Sequence, residues 1–314
     1  MKTSDTPENG DSFEDEDAAL FKNFADAVND EDIEAQEEAM LQVWQHIAEK
    51  QDEEPSSWLK AMQEAHQCEA AFDWMGAEES YKRAIDAEKD KPMLVARAQG
   101  QLASLYGLVG LEALALQAMQ AATQATREAD MAFMTSLQLQ GEARFYLKAK
   151  ESTRAWVFIN EAFDLLEDGP MHHLERAYAL VLRAECYSQQ EETKKAEADL
   201  EYAWKLLEPH AGTFFAAGWQ NGLSQWWAAK AQLHLRAQPP EWSESVACWR
   251  EVVERRRIIS GLPQLEGPYK YNGLAKSLNE LGKALHQIGD DSAAECFAES
   301  RSIRHSIGLA PFEN

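Results

Sequence analysis

One spacing recurs four times in tandem along this chain, and it constrains the fold more than any other feature. A small residue is followed by a second small residue twelve positions on, by a large one four positions later, and by a third small residue three further on. The instances are Ala65, Ala77, Tyr81 and Ala84; Ala103, Ala115, Met119 and Ala122; Ala143, Ala155, Ile159 and Ala162; and Ala184, Ala196, Leu200 and Ala203. Their starts lie 38, 40 and 41 residues apart. Alanine is common in this chain, but four matches in tandem at a near-constant step are not expected by accident.

The spacing has a physical reading. Two antiparallel helices approach closely only where the facing residues are small, so each helix of a pair needs Ala or Gly at the crossing. The large residue wedges into the neighbouring pair. Tyr106, Tyr146 and Tyr187 each follow the first small residue by three positions, and Cys68 takes that place in the first unit. One hairpin cannot bury its apolar face alone, so such units must stack.

Composition agrees with helices. Of 314 residues only 16 are Gly and 10 are Pro, and no Val/Ile/Thr-rich run alternates as strands require. Breakers at Pro55, Asp90-Lys91-Pro92, Gly169-Pro170, Pro209, Pro239-Pro240 and Gly261 to Pro268 separate segments long enough for helical pairs.

The small, small, large, small spacing resembles the tetratricopeptide repeat family. The step near 40 residues is similar to the long-helix branch found in kinesin light chains, and Leu274 to Gly282 is similar to the opening helix of those repeats. The resemblance implies an all-α fold, a right-handed superhelical solenoid of antiparallel hairpins, with four units over residues 55–210. Two irregular, Trp-rich hairpins are expected to close the same solenoid over 211–314. Trp227, Ala231, Ser245, Trp249 and Val252 make one, with an insertion near Pro239-Pro240. Leu278, Leu281, Gly282, Leu285 and Ala294 make the other, where Arg301 stands at the last small position. Residues 18–54 are expected to form a capping helical pair, because an uncapped solenoid end exposes apolar surface.

Charge is uneven. The net charge is −24, and residues 1–54 hold 18 acidic side chains against three lysines. Residues 1–17 are expected to be a disordered acidic arm. A tether would let it compete for any basic groove on the same chain. The acidic balance argues against nucleic acid, whose phosphates would be repelled. No apolar run is long enough to span a membrane and no signal-peptide core is seen. Four scattered cysteines fit a reduced, cytoplasmic setting better than a disulfide framework.

No phosphate loop, dinucleotide-binding turn, nucleophile elbow or HExxH pair occurs, so neither catalysis nor a cofactor or metal is expected. His172-His173 stands at a helix start, where a solvated pair is the plainer reading than a metal site. The cluster Trp219, Trp226, Trp227, Trp242 and Trp249 has two readings, bulky core or exposed anchor for a partner.

The resemblance also implies a binding surface, the concave groove lined by the first helix of each hairpin. Carried onto this chain, the groove comprises Met62, His66, Arg97, Ser104, Gln140, Arg144, Lys148, Tyr178, Glu185, Lys276, Asn279 and Lys283. Basic residues outnumber acidic ones there, the reverse of the whole chain. The expected partner is a protein or peptide, acidic or ending in a free carboxylate. The expected function is a non-catalytic scaffold for protein interaction. The alternative is a sensory module whose groove takes a small peptide signal and changes conformation. Partner identity and oligomeric state are not written in the sequence.

Overall fold

The computed structural model describes residues 56–167, 169, 172–210, 216–262 and 267–312. The expected acidic arm (1–17) and capping pair (18–54) lie outside the described residues. The chain divides into two compact units, Met1–Pro55 with Asp168–His172, and Ser56–Glu167 with His173–Asn314. The fold described below is that of the second.

This unit is an all-α solenoid. Its twelve described helices are α1 (Ser57–Ala70), α2 (Trp74–Ala87), α3 (Pro92–Val109), α4 (Glu112–Glu128), α5 (Ala132–Lys148), α6 (Ser152–Asp164), α7 (His173–Gln189), α8 (Thr193–Leu207), α9 (Ala216–Arg236), α10 (Trp242–Gly261), α11 (Tyr269–Gln287) and α12 (Ala293–Ser306). No strand occurs among the described residues. Consecutive helices pair as hairpins, and each odd-numbered helix from α3 onward also packs on the hairpin before it.

The repeat spacing marks the crossings. All twelve alanines of the four tandem units are at most 1% exposed, as are Tyr81 and Ile159. Leu200 is nearly as buried, while Met119 is only half-buried and lies against Gly141, where a β-carbon would meet its Sδ at 2.8 Å.

The turns repeat as faithfully as the crossings. Seven residues after each first small residue the backbone enters the left-handed region, at Phe72, Gly110, Lys150 and Glu191, and again at Gly289 in the last hairpin. The next amide then bonds back to the carbonyl five residues earlier: Asp73 to Cys68, Leu111 to Tyr106, Glu151 to Tyr146 and Glu192 to Tyr187, each at 2.8 Å. This is the six-to-one closure that ends helices. Side-chain caps help where they occur, with Ser56 Oγ accepting from Leu59 N–H and Asp73 Oδ1 from Gly76 N–H.

The last hairpin corrects the sequence register. Ala294 is exposed, whereas Ala293 and Ser300 are buried, so the second helix starts one residue earlier than the repeat spacing implies. Ser300, not Arg301, fills the last small position, and its Oγ donates to the Ala275 carbonyl at 2.7 Å. Gly282 provides the close approach, since a β-carbon there would lie 2.8 Å from the Phe297 ring. In the fifth hairpin, Ala231 and Ser245 are fully buried and Trp249 and Val252 nearly so, and the connection between its helices contains a cis Gln238–Pro239 bond.

The tryptophans are core. Trp219, Trp226 and Trp249 are buried, and Trp227 and Trp242 half-buried. Trp226 donates its indole N–H to the Leu200 carbonyl at 2.7 Å and sits between Trp204 and Trp227, with ring centroids 4.9 and 4.8 Å away. The exposed-anchor reading of this cluster is therefore set aside.

The array also closes on itself. Tyr269 on α11 donates to the buried carboxylate of Glu69 on α1 at 2.5 Å, 200 residues away in sequence. Leu108, Ile307 and Leu309 form a buried cluster with Trp74, Val109 and Tyr269 packed on it, so the segment after α12 covers the first two hairpins.

Candidate functional site

α5 packs on α7 and α7 on α9, and together with α11 they bring a set of charged and polar side chains to one face. Arg144 on α5 donates to Gln225 Oε1 on α9 at 2.7 Å, 81 residues on. Arg236 on α9 donates to Ser188 Oγ on α7 at 2.8 Å. Arg256, from α10, donates to Asn221 Oδ1 on α9 at 2.8 Å. Its guanidinium passes Gly273 of α11 closely enough that a β-carbon there would lie 3.4 Å from Nη1. Tyr178 on α7 accepts from Asn221 Nδ2 at 3.1 Å and donates to the Gly218 carbonyl at 2.8 Å. Gln189 donates to the Leu147 carbonyl at 3.0 Å.

Lys276 on α11 and Glu185 on α7 complete the cluster through charge rather than contact. Glu185 feels Arg236, Lys276 and Arg144, and Lys276 feels Lys148, Glu280, Glu185 and Arg256. The site is only partly shielded, with Tyr178, Glu185 and Arg256 half-buried and Arg144, Arg236 and Lys276 exposed. Burial pushes the Arg256 guanidinium down to about 10. It pushes Lys276 down as well, and Arg144 too, although both reach solvent. Burial pushes Tyr178 and Glu185 up, in each case as the largest cause. Low-dielectric surroundings disfavour the charged form of any group, and here they do so for five groups at one place.

The pairing pattern sets this cluster beside two kinds of arginine elsewhere. Arg83, Arg127, Arg183 and Arg257 meet carboxylates, on Glu64, Glu161, Asp199 and Glu299, while Arg304 is held by the Ala310 carbonyl and the Asn272 amide. In the cluster, Arg144, Arg236 and Arg256 are held by two amides and a hydroxyl. No carboxylate among the described residues forms an ion pair with any of the three, or with Lys276. Neutral acceptors fix the guanidinium planes, and no carboxylate among the described residues touches them.

Of the residues expected to line the groove, Arg144, Tyr178, Glu185 and Lys276 meet in the cluster, with Lys148 at its rim and bridged to Glu112. Three of the residues expected to line the groove are buried instead. Met62 is 3% exposed, Gln140 4% and Asn279 5%, because close winding turns these positions into the core. Gln140 instead donates to the Glu175 carbonyl at 3.3 Å. His66 is exposed and edge-on to Tyr81, with centroids 6.1 Å apart. Arg97 lies over Trp58 at 5.7 Å, Ser104 Oγ donates to the Gly100 carbonyl, and Lys283 pairs with Glu280 on its own helix. None of these four makes a described contact with the cluster.

Arg236, Arg256, Asn221 and Gln225 were not among the expected residues. Two of them had a signal. With Ala231 taken as the first small residue of its hairpin, Gln225 falls six positions before it, as Arg97, Tyr178 and Lys276 do in theirs, and Arg236 five after, as Lys148 does. Arg256 had none, since it comes from the second helix of its pair.

A separate shallow cleft of about 390 Å³ lies beside α1 and α2, lined by Glu64, Cys68, Asp73, Glu79 and Arg83 among others. The four cysteines are free thiols, and burial raises Cys186 to about 12. Among the described residues no group of three or more His, Cys, Asp or Glu side chains is arranged to hold a metal ion, and no helix is long and apolar enough to cross a membrane.

No family model and no curated protein matches this chain. Solved structures do. Rap protein, crystallised in complex with competence and sporulation factor, matches at 10% identity over 94% of this chain and 99% of its own, with a TM-score of 0.51. BtubC (BKLC) from P. vanneervenii matches at 15% identity over 79% of this chain and 94% of its own, TM-score 0.46. A tetratricopeptide repeat protein from Parabacteroides merdae matches at 16% identity over 80% and 96%, TM-score 0.40. The likeness to Rap shows that the fold is one already seen in helical repeat proteins.

Proposed function

We propose that this chain, an all-α solenoid of tetratricopeptide-like hairpins, is a protein-interaction scaffold whose inner face binds an acidic segment of a partner. The observation that carries this reading is a row of cations along one face, Arg144, Arg236 and Arg256 held by neutral partners and Lys276 near them, in a chain of net charge −24. Cations held without a contacting carboxylate keep their donors available to an incoming anion, and a positive face in an acidic chain attracts one. Carboxylates are suited to the oriented guanidinium forks of the three arginines, which offer paired N–H donors. The cluster supplies binding groups and no nucleophile paired to a base, so recognition rather than catalysis is the chemistry it favours.

A second reading, a sensor that changes conformation on binding, is favoured by one feature. Glu69 and Tyr269 join α1 to α11, and α11 also carries Lys276. A ligand that pulls on Lys276 would strain that closure. A Rap protein of the same fold is seen complexed with competence and sporulation factor, which accords with either reading.

The test is fluorescence anisotropy with the full chain and a labelled oligoglutamate peptide with blocked ends, against oligolysine and oligoglutamine controls. Oligoglutamate is expected to bind with affinity falling steeply as salt rises, because screening acts on the charges that hold it. Equal binding of all three peptides, or none, would overturn the acidic-segment reading.

A further inference from the structure

We propose that Glu185 is the resident counter-anion of the inner cluster, and that an acidic ligand displaces it from Arg144, Arg236 and Lys276, so that binding takes up a proton. The inference rests on the acidic-segment reading above and adds to it the residue that sets its pH dependence and specificity.

Glu185 lies on α7 one turn before Ser188, whose hydroxyl holds Arg236. It is half-buried, makes no ion pair among the described residues, and has Gln189 beside it on its own helix. The groups facing it are cations from three different helices: Arg144 on α5, Arg236 on α9 and Lys276 on α11. Around them stand Lys148, Arg256, Tyr178 and Gln189, with Glu280 beside Lys276 and Glu175 beside Tyr178. One carboxylate thus answers several cations at a distance without fixing any of them. A ligand carboxylate that reaches the same guanidinium groups competes with it directly.

The consequence for protons follows from charge. Burial favours the neutral acid of Glu185, and the three cations favour the carboxylate; burial is the larger effect, and the group is raised above its usual range. A bound anion draws the cations to itself and repels Glu185. Both changes raise its proton affinity further. By linkage, whatever makes Glu185 hold its proton more tightly is itself bound more tightly as protons become available. Affinity for an acidic segment therefore rises as pH falls from neutral toward the ordinary glutamate value near 4.3, where the ligand's own carboxylates start to be lost. The ligand acting alone would give the opposite slope, because binding to cations lowers its own proton affinity.

The test compares the full-length chain with Glu185→Gln, using the oligoglutamate probe from about pH 7.5 to about pH 5. Glutamine keeps the side-chain shape and removes the charge. Affinity in the variant is expected to rise about tenfold at the upper end and to show no gain on acidification. Calorimetry of the parent in two buffers of different ionisation enthalpy should show proton uptake on binding, and the variant should lack it. This second reading stands even if the variant folds less well. Parent-like affinity and pH profile in Glu185→Gln, or no proton uptake by the parent, would overturn the role of Glu185 while leaving the acidic-segment reading intact. Failure of the parent to bind oligoglutamate at any pH would overturn both.

Discussion

Replacing Ala143 by leucine is expected to lower the stability of the fold by on the order of 1–3 kcal/mol. Ala143 is fully buried on α5, within the cluster that holds Ala155, Ile159, Leu182 and Cys186. Its methyl group sits at the crossing of α5 and α6, so a longer side chain must either shift Ile159 from its place or push the two helices apart. Neither adjustment stays local, because α5 and α6 also pack against the hairpins on either side. Urea denaturation followed by circular dichroism measures the effect. Ala132→Leu, exposed at the start of the same helix, provides the comparison and should change stability by no more than about 0.5 kcal/mol. A leucine at 143 that unfolds at the parent's midpoint would mean the crossing lies elsewhere.

The largest effect on binding is expected from removing two charges of the inner cluster. Each of Arg144 and Lys276 contributes a charged donor where no described carboxylate pairs with it, and a hydrogen bond to a charged group contributes about 1.5–3 kcal/mol. Arg144→Gln with Lys276→Gln should therefore weaken oligoglutamate binding by roughly a hundredfold or more at low salt. Thermal unfolding should change little, because both side chains reach solvent and the charges they carry are disfavoured by their surroundings. Arg154→Gln is the matched control, since Arg154 is exposed on α6 and already paired with Glu151.

The fold was legible because its determinants are local. A crossing that admits only small residues leaves Ala at fixed intervals, and the left-handed turn falls at a fixed distance beyond, even where the residue there is Phe72, Lys150 or Glu191. Legibility ended where the period changed. The two extra residues between α9 and α10 and the one fewer between α11 and α12 shift the register without disturbing the packing. Sequence could therefore recognise those hairpins but not align them.

The site was legible by half. Arg144, Tyr178, Glu185 and Lys276 follow from the register of the regular hairpins and the closing one. Arg236 and Gln225 lie on the irregular hairpin, and Arg256 reaches the cluster from a second helix past a glycine of α11. Burial of Met62, Gln140 and Asn279 was not legible, because how tightly the hairpins wind depends on the sum of all crossings rather than on any one. The same winding brings Tyr269 to Glu69, a contact between the two ends of the array that no sequence periodicity encodes.

The proposed site for an acidic segment is the inner face formed by α5, α7, α9 and α11. Hydrogen exchange read by mass spectrometry, with and without saturating oligoglutamate, tests it most directly. Ligand binding stabilises the regions it holds against local opening. Added protection is expected in α7 and α9, with little change in α2, α4 and α6. Protection concentrated in α1 and α2, beside the separate cleft, or spread evenly over the outer helices, would contradict it.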